Sequence, residues 1–265
     1  MRQRESGVSE AIGYIIIFGL VMTGIGLITL YGYPVLMQQE SSANIRNMEQ
    51  TMIVLQNDMK SLTYKLVPYK ETTLRVSGGT LTLFDSDNSV IDQTFIIREE
   101  GGPDLAEVLV PGELRFEAQK EHAVVTLENG AVMKREIGST GSFMLAQPRW
   151  YIDTSSTGVK TLVINYMRLV PSSGSQILSQ TGVGTVRMRH YQTRYFGPYD
   201  YPAGANIQVV YSPNTDPAYD YSQAWRNFLT DNNGLDMTEA PANTYTMTGV
   251  NSVVVKMYDI IVVEL

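Results

Sequence analysis

Residues 44–84 read "NIRNMEQTMIVLQNDMKSLTYKLVPYKETTLRVSGGTLTLF", and within them the spacing of apolar side chains changes once. Ile45, Met48, Met52, Leu55, Met59, Leu62 and Leu66 fall three and four residues apart in strict alternation, a heptad-like seam that predicts an amphipathic helix. Pro68 closes it, since proline has no amide hydrogen and its ring clashes with the preceding turn. From Thr72 the period drops to two. "TLRVSGGTLTLFDSDNSVIDQTFII" predicts a strand, a turn at Gly78-Gly79, a second strand, a polar turn and a third strand. The fold class is therefore α+β, with a stem helix over 38–68 and a β-rich head over 69–265.

Downstream, the alternation continues. "EHAVVTLENGAVMKREI" reads as a hairpin turning at Asn129-Gly130, a pair whose backbone tolerates the left-handed conformation a tight turn needs. "GSFMLAQPRWYID", "TLVINYMRLV", "TVRMRHYQTRYF" and "NIQVVYS" add strands, and "NSVVVKMYDIIVVEL" closes the chain with one or two more. One helix interrupts them, in "DPAYDYSQAWRNFLTDNNG", starting near Asp220 and stopping at Gly234. The head is read as mainly antiparallel and sandwich-like, with a sub-boundary near 171–183 in the Ser/Gly-rich "VPSSGSQILSQTG".

Upstream of the seam, no charged residue occurs from Ala11 to Met37, a run longer than the roughly 20 residues a helix needs to cross a bilayer core. It also exceeds the apolar stretch of about 7–15 residues in a secretory signal peptide, so it is expected to stay in the protein. Arg2 and Arg4 precede the span and no Lys or Arg follows until Arg46, which places the N-terminus in the cytoplasm and the head outside the cell membrane. Tyr31 and Tyr33 sit where interfacial aromatic belts form, and Pro34 predicts a kink or break. Gly19, Thr23 and Gly26 share one helical face; small residues at that spacing let helix backbones approach closely in lipid. The stem seam has two fates open to it, burial against its own head or self-association as a bundle, and three methionines suit an adaptable contact.

The chain has 265 residues, 43 % of them hydrophobic, and a net charge of −7, which excludes a nucleic-acid binder because phosphate backbones demand a basic face. There is no cysteine, so disulfides, thiolate metal sites and cysteine nucleophiles do not arise. His122 and His190 have no ligand-type spacing, and neither a GxSxG elbow nor a phosphate-binding glycine loop occurs. Asp85, Asp87 and Ser89 alternate like the start of a calcium loop, yet the glycine and the terminal acid of that loop are missing; a solvated turn is the better reading. No catalytic, cofactor or metal site is expected, and the protein is read as not an enzyme.

The leader "MRQRESG" followed directly by "VSEAIGYIIIFGLVMTGIGLITL" resembles archaeal type IV pilins and archaellins. In particular it is similar to a group of archaeal pilin-like membrane proteins with a "VSEAIGY"-type start, and "LENGAVMKREIGSTGSFMLAQPRWYID" looks like that group's middle segment. The resemblance implies a class III signal peptide over 1–7, cut between Gly7 and Val8 by a prepilin peptidase, a retained transmembrane helix over 8–37 and a β-rich ectodomain. It also implies self-association through the N-terminal helix into a cell-surface filament. Glu10 then has two readings. A carboxylate at a helix start is stabilised by the backbone dipole by about 0.3–1 kcal/mol, whereas after cleavage it would pair with the new amine of its own or a neighbouring subunit.

The densest aromatic stretch lies between His190 and Trp225. Tyr195, Tyr199, Tyr201, Tyr219 and Tyr221 form a candidate binding surface, since a tyrosine ring packs while its hydroxyl stays wet. The plainer alternative is that they fill a sheet face and staple loops. Two functions follow: a pilin-like structural subunit, or a non-polymerising anchored ectodomain that binds a cell-wall component, glycan or protein partner.

Overall fold

A computed structural model describes residues 10–65, 67–86, 90–120, 122–139, 141–172, 177–231 and 235–265, with the helical backbone of 3–9. Leu66 and the Asp87–Ser89 part of the calcium-like motif lie outside these residues. The chain forms two compact units, Met1–Ala43 and Asn44–Leu265.

Helix α1 (Gln3–Leu27) runs into one π turn (Ile28–Gly32) and then helix α2 (Tyr33–Tyr64), which begins in the first unit and ends in the second. Of the kink or break expected at Pro34, the break does not occur, and helical structure continues through the proline. The proline ring would clash with the carbonyl four residues back, and the wider turn just before it, in which the Tyr33 N–H reaches the Ile28 carbonyl, relieves that crowding.

The second unit is a long N-terminal helix segment followed by a mostly antiparallel β domain. Its strands among the described residues are β1 (Lys70–Phe84), β2 (Thr94–Glu99), β3 (Glu113–Ala118), β4 (Ala123–Glu128), β5 (Ala131–Glu136), β6 (Ser142–Ala146), β7 (Tyr151–Thr154), β8 (Lys160–Pro171), β9 (Ile177–Ser212), β10 (Thr238–Glu239) and β11 (Thr244–Glu264). They form one sheet in the order β6-β5-β4-β3-β1-β9-β11-β8-β7, with β2 on the far half of β9 and β10 on β11. Only β8 and β11 pair in parallel. Helix α3 (Ser222–Thr230) is the short helix read from the sequence. The Asn129-Gly130 hairpin is present, both residues having positive φ and Glu128 facing Ala131.

Two readings need correction. Gly78-Gly79 is no turn: β1 is one strand that pairs with β9 on both sides of the glycines, with a bulge between Val76 and Leu81. A Cβ on Gly79 would collide with the Glu117 carbonyl and lie 2.6 Å from the Phe116 ring, so glycine is there for close approach of β3. The third strand, β2, pairs with β9 and not with β1. Likewise the segments read as separate strands around Tyr195 and Val209 are one 36-residue strand, β9, bent through several register shifts against β11.

Alternating side chains feed two cores. One is aliphatic: the described seam residues Ile45 to Leu62 of α2 are at most 5 % exposed and pack on Leu81, Phe116, Val125, Leu169 and Ile260. Gln56, also buried, fixes the helix by donating to the carbonyls of Gly130 (2.6 Å) and Gln147 (2.9 Å). The other is aromatic, with α3 covering Phe95, Trp150, Tyr166 and Tyr211 through Trp225 and Phe228.

Candidate functional site

The first unit presents an apolar surface without a polar stripe. From Ile12 to Leu36 the exposed large apolar side chains are between 48 and 72 % accessible. Ile15, Ile16, Ile17 and Phe18 are exposed in succession, so every direction about the axis is apolar; an ordinary surface helix has a polar face instead. This helix is long and apolar enough to cross a membrane. Thr23 Oγ1 donates to the Gly19 carbonyl at 2.7 Å within its own helix, and nothing lies within 4 Å of a Cβ built on Gly19 or Gly26. The face is therefore free for another backbone. Glu10 does not cap the helix, because α1 starts at Gln3, about two turns earlier. Gly7 and Val8 lie on the α1 backbone, and their side chains are outside the described residues.

The tyrosines distribute differently. Tyr195 is 66 % exposed on β9. Tyr199 is half-buried and donates to the Leu105 carbonyl at 2.7 Å, stapling the loop after β2. Tyr201 lines a cleft of about 520 Å³ beside Glu99, Glu100 and Asp200. Tyr219 and Tyr221 turn inward, the latter fully buried. The five do not form one surface.

What draws Tyr219 and Tyr221 inward is a charged cluster that strand alternation would place in solvent. On β3 and β4, Leu114, Phe116, Val125 and Leu127 face the aliphatic core, while Glu113, Arg115, Thr126 and Glu128 occupy the opposite face and are also buried. Glu113 accepts from Arg115 through both oxygens (2.8 and 2.6 Å), from Thr126 Oγ1 (2.7 Å) and from the Tyr221 hydroxyl (3.3 Å). Arg115 lies 3.5 Å over the Tyr219 ring and 4.6 Å from that of Phe84. Glu128 accepts from Trp225 Nε1 (3.0 Å) and Gln93 Nε2 (2.8 Å). Burial, then the neighbouring Glu113, push its carboxyl up to about 8 against those two hydrogen bonds and Arg115. Near neutrality Glu128 is therefore mostly protonated, and the remaining Glu113–Arg115 pair balances its charge. Sequence reasoning missed this cluster; the one available signal was a strand, "ELRFEA", whose polar face carries both signs at alternate positions. The arrangement ties α3 to the sheet and opens to no described cavity. Among the described residues no group of three or more His, Asp or Glu side chains is placed to hold a metal.

A protein from Archaeoglobus fulgidus, named there only as uncharacterized, is 31 % identical over 87 residues, which make up 33 % of this chain and 28 % of that relative. No solved structure matches the chain. A family profile matches residues 6–263, ending in the last strand, and the chain belongs to that family, a family of unknown function (DUF7289).

Proposed function

We propose that the protein is a pilin-like structural subunit of a cell-surface filament. In this reading the N-terminus starts in the cytoplasm, residues 11–37 cross the membrane, and the head lies outside. A prepilin peptidase removes the leader after Gly7, and the apolar helices then pack against each other along Gly19, Thr23 and Gly26. The observation that carries the proposal is the contrast along one helical run. The stem seam is consumed by its own head, while the preceding 27 residues from Ala11 to Met37 hold no charge and keep their apolar side chains exposed on all sides. Such a helix is stable only in lipid or among its like. Removal of the leader would leave Glu10 two residues from the new amine of Val8, in the first turn of the apolar helix, where that carboxylate and an amine of its own or a neighbouring subunit have reason to pair. In this reading the head acts as coat.

N-terminal sequencing of the native protein tests this. The expected sequence begins at Val8. A native chain beginning at Met1 removes the filament and leaves an anchored ectodomain that binds its partner as a single subunit.

A further inference from the structure

The end of α2, the loop before β7, and strands β7, β8 and β11 line an open cavity of about 430 Å³, within the 300–1,000 Å³ usual for small-ligand sites. Its chemistry runs against that of the chain. The protein carries a net charge of −7, yet this cavity is lined by Arg149 and Lys256 together with Tyr64, Tyr151, Asn165 and Tyr258. Lys60 stands one turn before Tyr64 and donates to the Gln147 carbonyl at 3.3 Å. Burial and the nearby Arg149 both hold its ammonium below the usual lysine range, so positive charge is already crowded here. Among the described residues none of Lys60, Arg149 and Lys256 forms an ion pair with a carboxylate, whereas Arg115, Arg168, Arg187, Arg194 and Arg226 all do.

Two further features describe what the cations await. Arg149 is set in place by stacking, its guanidinium carbon 4.5 Å from the centre of the Tyr64 ring. Asn165 Oδ1 already accepts from the Tyr258 hydroxyl (3.4 Å) and its amide donates to the Arg149 carbonyl (2.6 Å), so that wall is fixed. At the rim, Tyr151 and Tyr195 are 40 and 66 % exposed, with Lys256 Nζ 6.0 Å from the Tyr195 ring centre. A bare inorganic anion has no use for exposed aromatic faces. A sugar ring does, because its C–H face packs on tyrosine while its hydroxyls meet the phenol and amide groups. We infer that this cavity binds an anionic saccharide unit, its carboxylate or sulfate held by Arg149 and Lys256 and its ring against Tyr151.

The inference does not depend on how α1 assembles. Calorimetric titration of the full chain in detergent micelles with glucuronate, glucose 6-sulfate, glucose and inorganic sulfate tests it. Saturable binding is expected for at least one of the two sugar acids, with glucose and inorganic sulfate weaker by about tenfold or more, as loss of a charge-assisted contact or of the ring contact implies. Arg149→Gln and Lys256→Gln should each lower that affinity about tenfold, and Tyr151→Leu should lower it for the sugar acid alone. Thermal melting of each variant at the parental temperature separates lost binding from lost folding, and the three sites are far enough toward solvent that at least one variant remains to be read. Failure of both sugar acids to bind, sulfate binding as tightly as they do, or affinity that survives all three substitutions overturns the inference.

Discussion

Residues 11–37 and 45–62 are both helical and both rich in Ile, Leu and Met, yet their apolar side chains meet opposite fates. The first set is exposed, whereas the seam residues of the second, Ile45 to Leu62 at spacings of three and four, are nearly inaccessible. The difference lies in what separates the apolar residues. In the second segment Arg46, Glu49, Lys60 and their neighbours confine the apolar seam to one face, and Glu49 and Asp58 reach Lys134 (2.8 Å) and Lys70 (3.2 Å) on the sheet. In the first, no polar face exists to be turned toward water. Hydrophobicity alone does not bury a helix in its own fold; a one-sided pattern does.

The largest effect expected from this contrast is that of an acid placed in each segment. Leu55→Asp puts a carboxylate into a site with no access to solvent, which costs several kcal/mol unless it is neutralised. The full chain in detergent should then lose its cooperative head transition or melt far lower, as followed by near-ultraviolet circular dichroism. Leu20→Asp should leave that transition where it is and instead weaken membrane retention, a spanning charge costing about 2.5–3.5 kcal/mol on insertion scales. Equal loss of head stability in the two variants would erase the distinction.

The same pairing works with glycine. Gly79→Ala forces a methyl against the Glu117 carbonyl and Phe116 and should destabilise the head by about 1–3 kcal/mol in a denaturant titration. Gly24→Ala meets open space and should cost nothing, with a gain of up to about 1 kcal/mol in helix propensity.

A smaller difference concerns pH. The Glu128 carboxyl titrates near 8 in the folded head and near 4.5 when unfolded, so between those values unfolding releases a proton and stability falls as pH rises. Glu113, Arg115, Gln93, Trp225 and the nearby Tyr221 face it from every side. Glu128→Gln should raise the melting temperature by a few degrees at pH 8, change it little at pH 4 and flatten the slope between. Membrane retention of the first unit should not follow this curve.

The seam, the Asn129-Gly130 hairpin and the short α3 were legible because each is specified by residues close in sequence. The bulge at Gly78-Gly79 was not, since the reason for glycine is the Glu117 carbonyl on a strand nearly 40 residues away. The length of β9 was hidden by "QTGVG" and "GPYDYPAGA", glycine and proline clusters that read as loops and serve instead as bends within a strand. The buried Glu113–Arg115–Glu128 cluster was invisible because period two names a polar face without saying whether another element covers it. The cationic cavity draws one or two residues from each of five elements and left no local motif at all.

Strand β9 pairs with three other strands of the head. Its first part pairs with β1 beneath the aliphatic core, its middle with β11, and its last part with β2 in the aromatic core. The two cores are thus joined through one continuous strand backbone. A displacement of β9 is therefore felt on both sides of the head, since one backbone carries Val186 and Met188 into the aliphatic core and Ile207, Val209 and Tyr211 into the aromatic one.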